Sequence, residues 1–264
     1  MDTQQWQIYT NSYYNENNAV ISANGDLELG LSNVFSSATF SDPAYSGAKM
    51  QSKWTKVMSG EFNQEMQKYG YFEAKLHVPA DRKGRACRLR LVAEDEFDLN
   101  PLGATGDATA KKGANIIMMS NSVWPNNEFN TGVQYWTTDT GDSNTDSVAI
   151  TSTDPLGDAV HTYGLYWTPT KLEWYFDGVK VRDEGAHKST EHLIPQDIPL
   201  FWSVESQVLN WLMGGPDTAP SWPEACKIEY VRHFALDSGS VLWDSGYLTS
   251  GPTSGGKLYI YPVE

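Results

Sequence analysis

Cysteine is nearly missing from this 264-residue chain, which has Cys87 and Cys226 and no more. Two thiols cannot build a disulfide framework or a four-thiolate zinc site, although they form one bridge if they meet in space. Cations are scarce as well. Nineteen Lys and Arg stand against 33 Asp and Glu, a formal charge of −14. A surface of that sign repels phosphate backbones and anionic lipid, so neither nucleic acid nor a membrane surface is an expected partner. No apolar run approaches the roughly 20 residues of a membrane-spanning helix. The opening MDTQQWQIYT has neither the basic start nor the apolar stretch of a secretory signal. A long amphipathic helical pattern, an internal repeat and a low-complexity segment are also absent.

Aromatic rings and turn formers are abundant. Ten Trp, 14 Tyr and 9 Phe make up 12% of the chain, and 22 Gly and 13 Pro are spread through it. Short β-prone runs between Gly, Asn, Asp and Pro predict one all-β sandwich, long enough to bury a core without covalent staples. Residues 70–78 alternate, with Phe72, Ala74, Leu76 and Val78 on one face and Tyr71, Glu73, Lys75 and His77 on the other. Residues 86–92 repeat the pattern, Cys87, Leu89 and Leu91 against Arg88 and Arg90. Residues 114–119 are a nearly unbroken apolar run, which predicts a strand buried on both faces. Further strands are expected over 131–138, 163–167, 171–176, 199–212 and 227–235, with short ones at 241–243 and 257–261. Residues 32–46 read as a loop or weak strands, 94–112 as a long polar loop, and 138–158 as a Ser/Thr/Asp-rich excursion. Asp177-Gly178 predicts a two-residue hairpin turn, whose central positions both need positive φ.

Three segments, in order, resemble glycoside hydrolase family 16, the group of laminarinases, lichenases and agarases. YGYFEAKLHVP at 69–79 is similar to one family strand, and HTYGLYWTP running into LEWYFDG, 161–178, to the family hairpin. LMGG, WP and IEYVR, between 212 and 232, are similar to its closing strand. The resemblance covers residues 6–236, with 237–264 as an extension packed on the same domain. It implies a concanavalin A-like jelly roll of two curved antiparallel sheets with a carbohydrate cleft across the concave one. It also implies a polysaccharide or oligosaccharide partner and an extracellular or cell-surface setting.

Family members carry an acid motif, E-x-D-x-E or, with a bulge, E-x-D-x-x-E, in which the first Glu is the nucleophile and the last the general acid/base. The chemistry needs two carboxyl groups about 5 Å apart across the scissile bond, and alternate strand residues aim them at one face. Here the corresponding segment is GANIIMMS, residues 113–120. Without a bulge the acid positions fall on Asn115, Ile117 and Met119; with one, on Ala114, Ile116 and Met119. Neither register keeps a carboxylate, and a thioether donates no proton. The preceding strand, RACRLRL at 85–91, differs from the aromatic and apolar residues the family often has there. The resemblance thus predicts a catalytically inactive family member that recognises or organises extracellular polysaccharide, with a β-glucan-like ligand. An active, divergent hydrolase or transglycosylase is the alternative, using Glu205 or Glu94, Glu96 and Asp98, the last three being acids that share a face if extended. That cluster lies too soon after Pro79 for the intervening strand. A third reading is a structural protein whose cleft is filled by Ile117 and Met119.

Candidate sugar contacts combine aromatic area with polar groups that fix orientation. Gln134 and Trp136 alternate on one expected strand, and Ser203, Glu205 and Gln207 on another. Trp124 is a candidate rim residue, whereas Trp167 and Trp174 belong to the hairpin signature. His161 and His192 show no metal-ligand spacing. No cofactor is expected apart from a structural calcium, for which the resemblance offers Glu229.

Overall fold

The computed structural model describes residues 5–8, 18–24, 26–30, 32–33, 45–46, 48–52, 69–80, 85–92, 114–121, 127–136, 143–157, 159–185, 200–208, 225–234, 236, 241–244, 248–250 and 257–262. They form antiparallel strands and turns. One sheet has nine strands, in the order β11 (Ser143–Thr151), β10 (Glu128–Trp136), β9 (Ala114–Ser120), β8 (Arg85–Val92), β15 (Phe201–Val208), β6 (Ala48–Ser52), β1 (Gln5–Ile8), β19 (Lys257–Pro262) and β18 (Leu248–Ser250). The second runs β14 (Val179–Gly185), β13 (Lys171–Phe176), β12 (Val160–Trp167), β7 (Gly70–His77), β16 (Cys226–Phe234), β3 (Leu27–Leu29) and β2 (Ala19–Ile21), with β17 (Val241–Asp244) also on β16. β4 (Ser32–Asn33) and β5 (Tyr45–Ser46) pair with each other. No helix among the described residues is long and apolar enough to cross a membrane.

The predicted alternation decides what lies between the sheets. β7 buries Phe72, Ala74 and Leu76 and leaves Tyr71, Glu73, Lys75 and His77 half-buried. From the other sheet β8 contributes Cys87, Leu89 and Leu91, and β15 contributes Trp202 and Val204. Trp167, Trp174 and Trp202 are the largest wholly buried side chains among the described residues, and Phe72 meets Trp202 edge-on at 5.8 Å. Removing each apolar side chain of this size from water contributes roughly 1.5–3 kcal/mol. Cys87 and Cys226 are both buried and are not joined to each other, so the bridge they allow is not formed. The Asp177-Gly178 turn has φ of 48° and 77°, as predicted. The Asp177 carboxylate accepts the Thr162 N–H at 2.8 Å and meets His161 Nδ1 at 2.7 Å, so His161 helps lock the hairpin.

One expectation is corrected. Within the stretch read as an excursion, β11 is a nine-residue strand in unbroken register with β10, from Trp136↔Ser143 to Glu128↔Thr151. It is a sheet edge with Ser147, Val148 and Ala149 exposed, so no buried face imprints a hydrophobic alternation on it. Gly132 permits its approach, because a Cβ there would run into the Asp146 carbonyl oxygen. Arg182 on β14 ties this edge to the second sheet. Its Nη1 donates to the Thr131 carbonyl at 2.6 Å, its Nη2 lies 3.2 Å from Asp146 Oδ2, and its guanidinium sits 4.7 Å over the Trp174 ring.

Candidate functional site

The apolar run of β9 contains a bulge, and the bulge sets which of its residues leave the core. β9 pairs with β8 as Asn115↔Val92, Ile116↔Leu91 and Ile117↔Arg90, then shifts register to Met119↔Leu89 and Ser120↔Arg88. Pairing with β10 shifts at the same place, between Ile117↔Gly132 and Ser120↔Asn130. Met118 and Met119 therefore both pack in the core, 1% and 0% exposed. The Ile117 carbonyl at the shift accepts the Trp174 indole N–H at 2.9 Å, a hydrogen bond from the opposite sheet that satisfies a carbonyl at the irregularity. On the far side, turned away from the core, stand Asn115, Ile117 and Ser120. That is the E-x-D-x-x-E spacing, begun one residue later than the bulged register read from sequence. Met119 lies on the core side, and Ser120 is the residue turned outward at that end of the run.

The same far side continues across β8 and β15 in rows of paired residues. Ile117, Arg90 and Ser203 form one row, and Ser120, Arg88 and Glu205 the next. Glu205 is 1% exposed, and its Oε1 accepts Arg90 Nη2 at 3.0 Å and Arg88 Nη1 at 3.2 Å. The Arg90 side chain is 9% exposed and that of Arg88 25%, so Arg88 is the arm open to solvent. Two polar side chains here are wholly buried without a hydrogen-bond partner among the described residues: the Asn115 amide and the Ser203 hydroxyl. Asn115 pairs across to Gln134, which is half-buried.

Of the residues singled out by sequence, Asn115, Ile117, Gln134, Ser203 and Glu205 thus share one face, and Met119 does not. Trp136 and Gln207 occupy the expected register positions on β10 and β15. Their side chains, and the whole of Glu94, Glu96, Asp98 and Trp124, lie outside the described residues. Glu229 Oε2 lies 2.7 Å from Lys75 Nζ, and no group of three or more His, Cys, Asp or Glu among the described residues is placed to hold a metal ion. Sequence reasoning misses Ser120 and does not place Arg88 and Arg90 in the site. The available signal is two arginines at alternate positions of a strand in a chain with few cations.

Comparison with known proteins agrees with this architecture. The model of the family described as Glycosyl hydrolases family 16 matches residues 7–205. The chain is 26% identical over 187 residues to an endo-1,3-1,4-beta-glycanase, EglC, of Rhizobium meliloti, a match covering 70% of this chain and 34% of that protein. The chain spans about a third of the length of the curated relatives it matches. Among solved structures, the laminarinase catalytic domain of Thermotoga maritima superposes with a TM-score of 0.63 at 18% identity, over 100% of this chain and 94% of that one. Porphyranase B of Zobellia galactanivorans gives 0.64 at 12% identity, over 87% and 85%. Both show the shared jelly-roll fold.

Proposed function

The chain belongs to glycosyl hydrolase family 16, and we propose that within it this protein recognises extracellular polysaccharide without cleaving it by the family's two-carboxylate route. The observation that carries this reading is the far side of β9, where Asn115, Ile117 and Ser120 stand at the spacing of the family's acids. An amide and a hydroxyl are neither a glycosyl-accepting carboxylate nor a carboxylic acid that hands on its proton. Glu205 does not substitute for them. It lies on β15, two strands from β9 and so roughly 10 Å away at the usual strand spacing, and both arginines hold it. The buried polar groups of Asn115 and Ser203, with Gln134 beside them, suit hydrogen bonding to sugar hydroxyls more than an apolar plug does.

The test is a reducing-end assay on laminarin, lichenan, agarose and kappa-carrageenan, run beside affinity electrophoresis on the same polymers. Binding without release of reducing ends is expected, and Trp136→Ala should weaken it. Turnover that vanishes in Glu96→Gln would overturn the proposal in favour of an active hydrolase using the acids at 94–98. Failure to bind any polymer would leave a structural or assembly role.

A further inference from the structure

A sandwich is open to other chains at its sheet edges, where an end strand carries a row of backbone N–H and C=O groups with no strand beside it. Among the described residues, β11 and β18 end the nine-stranded sheet, and β14 and β2 end the order of the second. Three of these four have features that blunt an edge. β18 and β2 are three residues long. β14 bears Lys180, Asp183 and Glu184, and its pairing with β13 shifts register between Trp174 and Tyr175. β11 has none of these protections. It runs nine residues, SNTDSVAIT, in unbroken register with β10, and contains no Lys, Arg, Glu or Pro. Ser147, Val148 and Ala149 are exposed in succession, and successive residues of a strand point to opposite faces, so this edge is open from both sides. Its single charged residue, Asp146, lies 3.2 Å from Arg182 Nη2. On a chain of charge −14 the strand is thus a locally neutral seam, along which a second copy can approach.

We propose that β11 is the contact edge of a homodimer, pairing antiparallel with β11 of a second copy about a two-fold axis perpendicular to the sheet. Symmetry restricts the register. The axis returns every residue to the same face, and residues directly opposite in a sheet share a face, so the axis has to pass where a residue opposes its own copy. Only Ser147 in that place uses the whole strand. Ser143 of one copy then stands opposite Thr151 of the other, Asn144 opposite Ile150, Thr145 opposite Ala149, and Asp146 opposite Val148. An axis at Asp146 would set two carboxylates against each other, and one at Val148 would shorten the seam. The pairing consumes the open edge of both copies, so the assembly closes as a dimer and does not grow into a fibre. At roughly 3.4 Å per residue the seam is about 30 Å long, which places it among the smaller and weaker interfaces. The axis also keeps each face on its own side, so the far sides of the two nine-stranded sheets run together into one surface.

Sedimentation equilibrium of the full chain from about 1 μM to about 1 mM, in roughly 0.15 M NaCl to screen the net charge, should show a monomer–dimer equilibrium. Ser147→Lys and Ser147→Glu each set like charges against each other at the axis, and each should raise the dissociation constant about tenfold or more. Mixed in equal amounts, the two variants oppose unlike charges and should associate at least as tightly as the unaltered chain. Ser147 is exposed, so the thermal midpoint of each dilute variant should match that of the unaltered chain, which separates a lost contact from a damaged fold. Hydrogen exchange reads the same edge without a substitution: the β11 amides should exchange more slowly in the concentrated sample than in the dilute one. A chain that stays monomeric across the range overturns the proposal. So does a dimer indifferent to both variants, one that mixing fails to restore, one that leaves β11 exchange unchanged, or growth beyond the dimer. No polysaccharide is present in these measurements, so their outcome leaves the glycan-recognition reading untouched.

Discussion

Glu205→Gln tests the electrostatics of the far side most directly. The substitution keeps the shape of the side chain and removes the charge that Arg90 and Arg88 approach at 3.0 and 3.2 Å. At an effective dielectric constant of about 20, each contact is worth about 5 kcal/mol before desolvation. The cost of burying Glu205, 1% exposed, and Arg90, 9%, offsets much of that. Arg88, 25% exposed, is partly screened by water, so its contact contributes less. What remains when one partner of a buried pair is neutralised is about 3–5 kcal/mol of destabilisation, because two guanidinium groups are left facing an amide. A chain of 264 residues has an unfolding entropy near 0.55 kcal/mol/K by the usual per-residue average. The thermal midpoint should therefore fall by about 5–9 °C in circular dichroism, with a matching shift in urea. Lys75→Gln serves as the control. It breaks a pair with Glu229 whose side chains are 37% and 34% exposed, and it should cost under about 1 kcal/mol. If Glu205→Gln shifts the midpoint no further than Lys75→Gln, Glu205 is not the buried counter-charge described here.

Three further outcomes are expected. Trp174→Phe keeps most of the packing and removes the indole donor from the Ile117 carbonyl, so it should cost about 1–3 kcal/mol in urea denaturation; a loss under about 0.5 kcal/mol would show that the bulge does not depend on that bond. Gly132→Ala places a methyl against the Asp146 carbonyl and should cost about 3 kcal/mol as β11 is pushed away, read from the same urea midpoint, and an unchanged midpoint would contradict the close approach. His233 is held below its usual pKa of 6.5 by burial, which outweighs the hydrogen bond from its Nε2 to the Tyr69 carbonyl. The fold thus favours the neutral ring. The His233 contribution is complete above about pH 6.5 and is lost as pH falls toward the depressed value, by at most about 1.4 kcal/mol per unit. In His233→Phe the stability profile just below pH 6.5 should flatten, and an unaltered slope would assign the acid sensitivity to other groups.

What the sequence discloses and what it withholds divide along a physical line. On β7 and β8 large apolar side chains alternate with charged ones, so the strands carry their own phase, and the pattern by itself sets Arg88 and Arg90 on the face opposite Leu89. In Ile116, Ile117, Met118 and Met119 every residue is apolar, so a shift of one position leaves no trace in the pattern. The phase there is set by pairing with β8 and β10 and by Trp174, 57 residues away from Ile117. β11 is unreadable for another reason, since Ser147, Val148 and Ala149 in succession are exposed and impose no alternation. Alternation along β15 turns Glu205 toward the site but says nothing of its burial. Its arginines are 115 and 117 residues distant, and only the β8–β15 register brings them to it.

The peg that fixes the kink in β9 comes from the opposite wall of the sandwich. Trp174 grips a main-chain oxygen, which every residue type supplies alike, so the backbone path through Asn115, Ile117 and Ser120 is indifferent to the side chains displayed there. A groove framed in this way can exchange one set of functional groups for another while its floor keeps its shape, which makes this strand a natural place to graft new chemistry.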